Sequence, residues 1–272
     1  MTLVDSTGFK EYTQSLLIRK SRNTSAELSK KSRNSPIEKF STSLFIEILN
    51  STFLPREMCL EISPNGLTTS LREAWDGVVY FGYVNDNTYE KNDFLLSNER
   101  PEDVTPEQKG RHFMIYYDKY ESSYFLKDLN LGFGCFVMKN EFELLDSTLV
   151  QIGNTYLVIE INKLLNSTRM VIKPFSSYVK ADPVHFLPSM SPITIGRSDK
   201  CSMYIKDELL SRFHCEIRLS EDGTWILRDG FYSTDGSCKE SLNATWVFAS
   251  ENTKVEEGMI FKYNYNLFRV SL

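Results

Sequence analysis

The sequence predicts an all-β protein, built as two β-sandwiches in tandem behind a basic N-terminal tail. Three observations carry that expectation. Short runs of aromatic and β-branched residues recur from about residue 44 onward. Clusters of turn-forming residues separate them. No apolar period of 3.6 residues persists long enough for a long helix. Composition agrees, since 18 Phe, 14 Tyr and 3 Trp among 272 residues suit half-buried pleated surfaces.

The tail comes first, over residues 1–43. Its stretch IRKSRNTSAELSKKSRNSPIEKFSTS (18–43) is basic, rich in Ser and Asn, and poor in apolar groups. Such a segment cannot bury enough surface to offset its ordering entropy and is expected to be disordered. Ser21, Ser25 and Ser35 lie just after arginines and resemble kinase sites, and Thr24, once phosphorylated, is a candidate to dock on the second domain of the same or another molecule. Next come the strand-like runs MCLEIS, GVVYFGYV, RHFMIYYDK, SYFLKDL, GCFVMK and TYLVIEI, set apart by turns such as SPNG, EAWDG, DLNLGFG and GNTY.

The second half then repeats the landmarks of the first. An apolar strand ends at Gly (Gly82, Gly196) and a His opens the next strand (His112, His214). An aromatic strand ends at Asp (Asp128, Asp229), and a Gly- or Asn-bearing turn leads into another aromatic strand. His112 and Asp128 are 16 residues apart, His214 and Asp229 15. Two copies of one β-domain, over 44–163 and 164–272, is the economical reading.

Several function classes fall away early. A net charge of −5 lacks the basic footprint of a nucleic-acid binder. No apolar run approaches membrane-spanning length, so no membrane partner is expected. Five scattered cysteines, without CxxC or paired spacing, read as reduced thiols of an intracellular protein, cytoplasmic or nuclear. No secretory leader is read at the N-terminus. A zinc site from Cys201, Cys238 and His214 lacks paired-ligand spacing, and no metal or cofactor is expected.

The stretch LLSRFHCEI (209–217) places Ser, Arg, His and Cys close together. Strand alternation sends His214, Glu216 and Arg218 to one face and Cys215, Ile217 and Leu219 to the other. The apolar set is the core face, so Cys215 is a buried small hydrophobe aimed away from His214. Phe113 occupies the matching place in the first half. A Cys–His nucleophile fails on this geometry. A Ser211–His214 hydrolase lacks a GxSxG elbow and an identified orienting carboxylate. Binding without catalysis remains. Gly196-Arg197, Ser211-Arg212 and Ser241…Asn243 all stand at strand ends, where sandwich loops gather into recognition surfaces. A guanidinium fork, a hydroxyl and an amide suit a tetrahedral dianion on a peptide backbone.

At these residues the chain resembles the forkhead-associated (FHA) family, over roughly 168–272. The motifs are Gly196-Arg197, Ser211…His214, and Ser241-Leu242-Asn243-Ala244-Thr245, in family order. The resemblance implies a β-sandwich that binds a phosphothreonine-containing protein as a signalling adaptor, with no enzymatic activity. Arg197 and Ser211 would contact the phosphate, and Arg212 would add a phosphate or peptide contact. Asn243 and Ser241 would serve the peptide, and Gly196, His214 and Thr245 would be architectural. Ala244 stands where the family usually has Gly, which matters if that position needs positive φ. The segment FYSTDGSCKE (231–240) is an insertion near this edge. The first half resembles the family more faintly, over roughly 55–162. Tyr83 replaces the Arg, Lys109 the Ser, and Leu131 and Phe133 the Ser and Asn. Lys91, Lys109 and Arg111 remain there as a cationic group. The competing expectation is a scaffold whose two sandwiches bind partners without phosphate. The oligomeric state is left open.

Overall fold

A computed structural model describes residues 43–85, 90–164, 167–176, 182–233, 236–249 and 252–272. The tail, with Ser21, Thr24, Ser25 and Ser35, lies outside the described residues. The protein is all-β: among the described residues the only helical turns are the 3-10 turns Pro106–Gln108 and Pro188–Met190.

The chain forms two compact units. The first combines residues up to Cys135 with Ala249–Leu272, and the second is Phe136–Phe248. In the first unit one sheet runs Ile260–Tyr263, Asn266–Ser271, Leu44–Asn50, Cys59–Ser63 and Gly66–Leu67. The other runs Thr253–Lys254, Ser123–Asp128, Phe113–Asp118, Val78–Gly82 and Phe94–Leu95. In the second unit one sheet runs Val184–Phe186, Ser167–Phe175, Thr155–Leu164, Thr148–Ile152, Thr245–Phe248 and Cys135–Met138. Its other sheet runs Met203–Tyr204, Ile193–Gly196, Cys215–Leu219, Trp225–Asp229 and Glu141–Glu143.

This division departs from a cut after residue 163. Residues 136–163, read as the close of the first copy, build the second unit. Ala249–Leu272, read as the close of the second copy, build the first. The ladders give the reason. Ile159 pairs with Ile172, Val150 with Val247, and Ile226 with Glu143. Ile46 pairs with Val270, and Thr253 with Leu126. Each closing segment finds its hydrogen-bond partners and its apolar cover on strands that the linear reading assigned to the other copy.

The core of the second unit records the same fact in side chains. Val150, Ile152, Leu157 and Ile159 pack in one cluster with Ile193, Ile195, Cys215 and Leu227. The first four come from before residue 164 and the rest from after it. Cys215 is fully buried, and burial pushes its thiol up, as the alternation of HCEIRL requires of a core residue. Glu216 departs from that alternation rule. It is buried, and its carboxylate pairs with the Arg218 guanidinium.

The landmark residues occupy matching registers in the two units. Phe113 pairs with Asp128 and Phe81, as Cys215 pairs with Asp229 and Ile195. The backbone N–H of His112 donates to Phe81 O at 2.8 Å, and that of His214 to Ile195 O at 2.8 Å.

Candidate functional site

The site is built around one short stretch, Leu209–Ser211, in the second unit. The strand Ile193–Gly196 brings Arg197 to it. A Cβ on Gly196 would lie 2.3 Å from Arg212 O and 2.9 Å from Ser211 O, so only glycine lets the two backbones come this close. That contact is used: Arg197 N–H donates to Ser211 O at 3.1 Å and Ser198 N–H to Arg212 O at 3.0 Å. The Arg197 Nε–H donates to Leu210 O at 2.7 Å, which fixes the side chain and leaves its two terminal nitrogens open. Arg197 is exposed, and among the described residues no carboxylate pairs with it.

The third turn is tied to the same stretch. Asn243 Nδ2 donates to Leu209 O at 2.6 Å, which leaves Oδ1 as an open acceptor. The backbone N–H of Leu242 donates to Ser211 Oγ at 3.0 Å. A hydroxyl oxygen that accepts there keeps its own O–H free to donate. Arg212 is exposed, and its carbonyl accepts from Ser198 N–H and from the Cys201 thiol at 3.2 Å. Thus the Arg197 and Asn243 side chains are each hydrogen-bonded to the stretch Leu209–Ser211, and the turn that carries Asn243 reaches Ser211 through the Leu242 N–H.

Behind this surface lie the braces. His214 is fully buried. Its Nδ1 accepts the Ser211 N–H at 3.2 Å, and its Nε2–H donates to Ala244 O at 3.2 Å. Those partners define a neutral imidazole protonated on Nε2. Burial lowers its pKa, and the charge of Asp229 opposes that only in part. Asp229, itself buried, accepts the Thr245 hydroxyl at 2.7 Å, the Ser241 hydroxyl at 2.7 Å and the Ser241 N–H at 2.9 Å. Ser241 is therefore engaged as a brace alongside Thr245, and its hydroxyl proton is committed to Asp229 instead of to a ligand. Ala244 sits at φ 56°, the left-handed region in which the family's usual glycine costs nothing. The insertion closes as a short hairpin, Phe231–Tyr232 against Cys238–Lys239. The Tyr232 ring lies under the guanidiniums of Arg218 and Arg228, at 4.6 and 4.5 Å.

The geometry bears on the catalytic alternatives directly. His214 Nδ1 takes the backbone N–H of Ser211 and not its hydroxyl, so it is not placed as that hydroxyl's base. Among the described residues no group of three or more His, Cys, Asp or Glu could hold a metal ion. No helix among them is long and apolar enough to cross a membrane.

The FHA domain family model matches residues 193–262. Over that segment the chain is similar to the FHA domain family. Such a domain is a phosphopeptide-binding module, in general without catalysis. No curated protein matches the chain. The FHA match runs past Phe248 into Thr253–Lys254 and Ile260–Tyr263, strands that belong to the first unit. It follows the order of the chain, whereas the sandwiches follow packing.

In the first unit the positions in matching register hold different groups. Tyr83, after Gly82, is buried, and its hydroxyl accepts from Asn264 Nδ2 at 2.7 Å. Its ring meets His112 edge-on at 5.4 Å. Burial pushes the Tyr83 phenol up to about 12. Gly82 keeps the close approach, because a Cβ there would lie 2.3 Å from Gly110 O. Arg111 is spent internally: it donates to Lys91 O at 3.1 and 2.9 Å, pairs with Glu90, and stacks on Tyr80 at 3.8 Å.

Two residues of the candidate site have no motif to announce them. Asp229 is visible in the sequence only as a repeat landmark. Asp207 is one acidic residue in KDELL. Its Oδ2 accepts the Asn154 N–H at 2.8 Å and the Thr155 hydroxyl at 2.9 Å, and its Oδ1 accepts the Leu209 N–H at 3.0 Å. The repeat alignment, which sets 154–155 at the end of the other copy, gives no signal for that contact.

Proposed function

We propose that the protein is a non-catalytic adaptor whose second unit binds phosphothreonine peptides in phosphorylation-dependent signalling. One observation carries the reading: Arg197 Nε and Asn243 Nδ2 hold the Leu210 and Leu209 carbonyls while the Leu242 N–H holds the Ser211 hydroxyl, and among the described residues no carboxylate consumes the fork. Arg197 and Ser211 contact the phosphate, with Arg212 as a second cation. Asn243 offers its open Oδ1 to the peptide main chain. Charge-assisted hydrogen bonds contribute about 1.5–3 kcal/mol each. Three or four of them, less the ordering costs, give an affinity around micromolar.

The first unit has no cationic fork at the equivalent place, because Tyr83 is buried there. That observation favours a different role for it, as a phosphate-independent partner surface or as a structural companion. The test is fluorescence anisotropy of the full chain with the tightest member of a degenerate phosphothreonine peptide library. The same peptide without phosphate is the control. Binding that needs the phosphate and drops at least tenfold in Arg197→Ala supports the reading. Equal affinity for both peptides ends it.

A further inference from the structure

The turn Gly153–Thr155 links the strands Thr148–Ile152 and Thr155–Leu164, in the stretch read from sequence as the end of the first copy. In the folded second unit it lies against the stretch that organises the candidate site. A Cβ on Gly153 would come within 2.9 Å of Asp207 Oδ2 and 3.2 Å of both Leu209 Cβ and Leu210 Cδ2. Thr155 is buried, with 2% of its surface exposed. Its hydroxyl and the Asn154 N–H both donate to Asp207 Oδ2. Asp207 passes the constraint on, through Oδ1 to the Leu209 N–H and through its carbonyl to the Leu210 N–H at 3.1 Å. The carbonyls of Leu209 and Leu210 are the groups that hold Asn243 Nδ2 and Arg197 Nε.

We propose that Thr155 is a positioning residue for phosphopeptide recognition, acting through Asp207 to set the Leu209–Ser211 stretch and with it Arg197 and Asn243. The idea rests on the phosphopeptide reading of the site. It adds that the segment assigned to the degenerate copy is part of the recognition apparatus. Asp207 Oδ2 is shared by two donors, and one of them is a buried hydroxyl. Loss of that hydroxyl leaves the carboxylate with a single donor from the turn, and the loop it anchors gains freedom.

The experiment uses the full chain with Thr155→Val, which keeps the shape and removes the hydroxyl, and Thr155→Ser, which restores it. Two quantities are read: the dissociation constant for the library-selected phosphothreonine peptide, and solvent exchange of the Arg197 Nε–H by 15N NMR. Thr155→Val is expected to weaken binding about three- to tenfold, the range for one lost hydrogen bond, and to speed Nε–H exchange. Thr155→Ser is expected to recover both. Unchanged exchange and affinity in Thr155→Val overturn the proposal, and so does an equal loss in Thr155→Ser, which would mark simple packing. If Thr155→Val does not fold, Asp207→Asn, at a partly exposed position, takes the same readouts with the same expected and overturning results. If the native chain binds phosphorylated and plain peptide alike, the functional reading fails by itself. The exchange comparison still decides whether the turn sets Arg197.

Discussion

Ala244 holds φ 56° while its carbonyl accepts the Nε2–H of His214 at 3.2 Å. The strained residue and the buried brace are one unit: the backbone must take the left-handed turn to present that carbonyl. The turn costs an L-residue roughly 1–2 kcal/mol that glycine does not incur. Ala244→Gly is therefore expected to stabilise the protein by about 0.5–1 kcal/mol, net of glycine's greater entropy when unfolded. Denaturant midpoints checked at constant m-value measure this. Destabilisation would show that the turn is not strained.

Arg197 divides its donors between Leu210 O and open solvent. Lysine has one ammonium and cannot hold a carbonyl through one nitrogen while it grips phosphate with two others. Arg197→Lys is expected to lose roughly tenfold or more in phosphopeptide affinity, with little change in melting temperature. Calorimetric titration beside a thermal melt separates the two effects.

Gly196 is required by space and not by φ. A methyl group there would meet Arg212 O at 2.3 Å, and a backbone carbonyl cannot swing away as a side chain can. Gly196→Ala is expected to destabilise by about 2 kcal/mol or more and to displace the Ser211 loop, with loss of phosphopeptide binding. A variant that binds and melts like the native protein would contradict the close approach.

Residues 136–248 form a continuous segment that contains the whole apolar cluster of the second unit. A fragment 164–272 lacks Leu144, Val150, Ile152, Leu157, Ile159 and Ile161 from it. Six such side chains account for roughly 9–18 kcal/mol of burial, comparable with the whole stability of a domain. Fragment 136–248 is expected to unfold cooperatively and to bind the phosphopeptide, and 164–272 to do neither. Circular dichroism melts and dispersed amide spectra distinguish them. A well-folded 164–272 would refute the partition.

His214 sets a pH dependence. Its pKa lies below the ordinary 6.5 in the folded state because burial disfavours the cation. As pH falls through 6.5 the unfolded chain takes up a proton that the folded chain refuses, so stability drops until the lower folded value is passed. Protonation also converts Nδ1 from an acceptor of the Ser211 N–H into a competing donor. His112 is shifted in the same direction by burial and adds to the slope. The histidine contribution to unfolding free energy is expected to decline below about 6.5, against an opposing gain from Asp128, whose carboxyl burial pushes up to about 7, so it is read as the difference between the native chain and a His214 variant from pH 8 to pH 5. His214→Asn, which cannot titrate, is expected to flatten part of that decline.

Much of this protein is written locally. The alternation in HCEIRL put Cys215 into the core, and the matched spacings from His112 to Asp128 and from His214 to Asp229 marked equivalent registers. Gly-Arg, Ser-x-x-His and Ser-x-Asn marked the three turns, and Ala244 in a glycine's place marked a strained one. All of these follow from periods of two residues, from backbone freedom, or from motif spacing, which neighbours along the chain settle among themselves. The tertiary structure alone decided which strand completes which sandwich. A run such as TLVQIGNTYLVIEI offers the same apolar face and the same N–H and C=O ladder to any compatible edge, so its pattern does not name a partner. Long-range bonds chosen by that assembly then fixed finer roles: the Ser241 hydroxyl donates a hydrogen bond to Asp229, and the Thr155 hydroxyl donates one to Asp207.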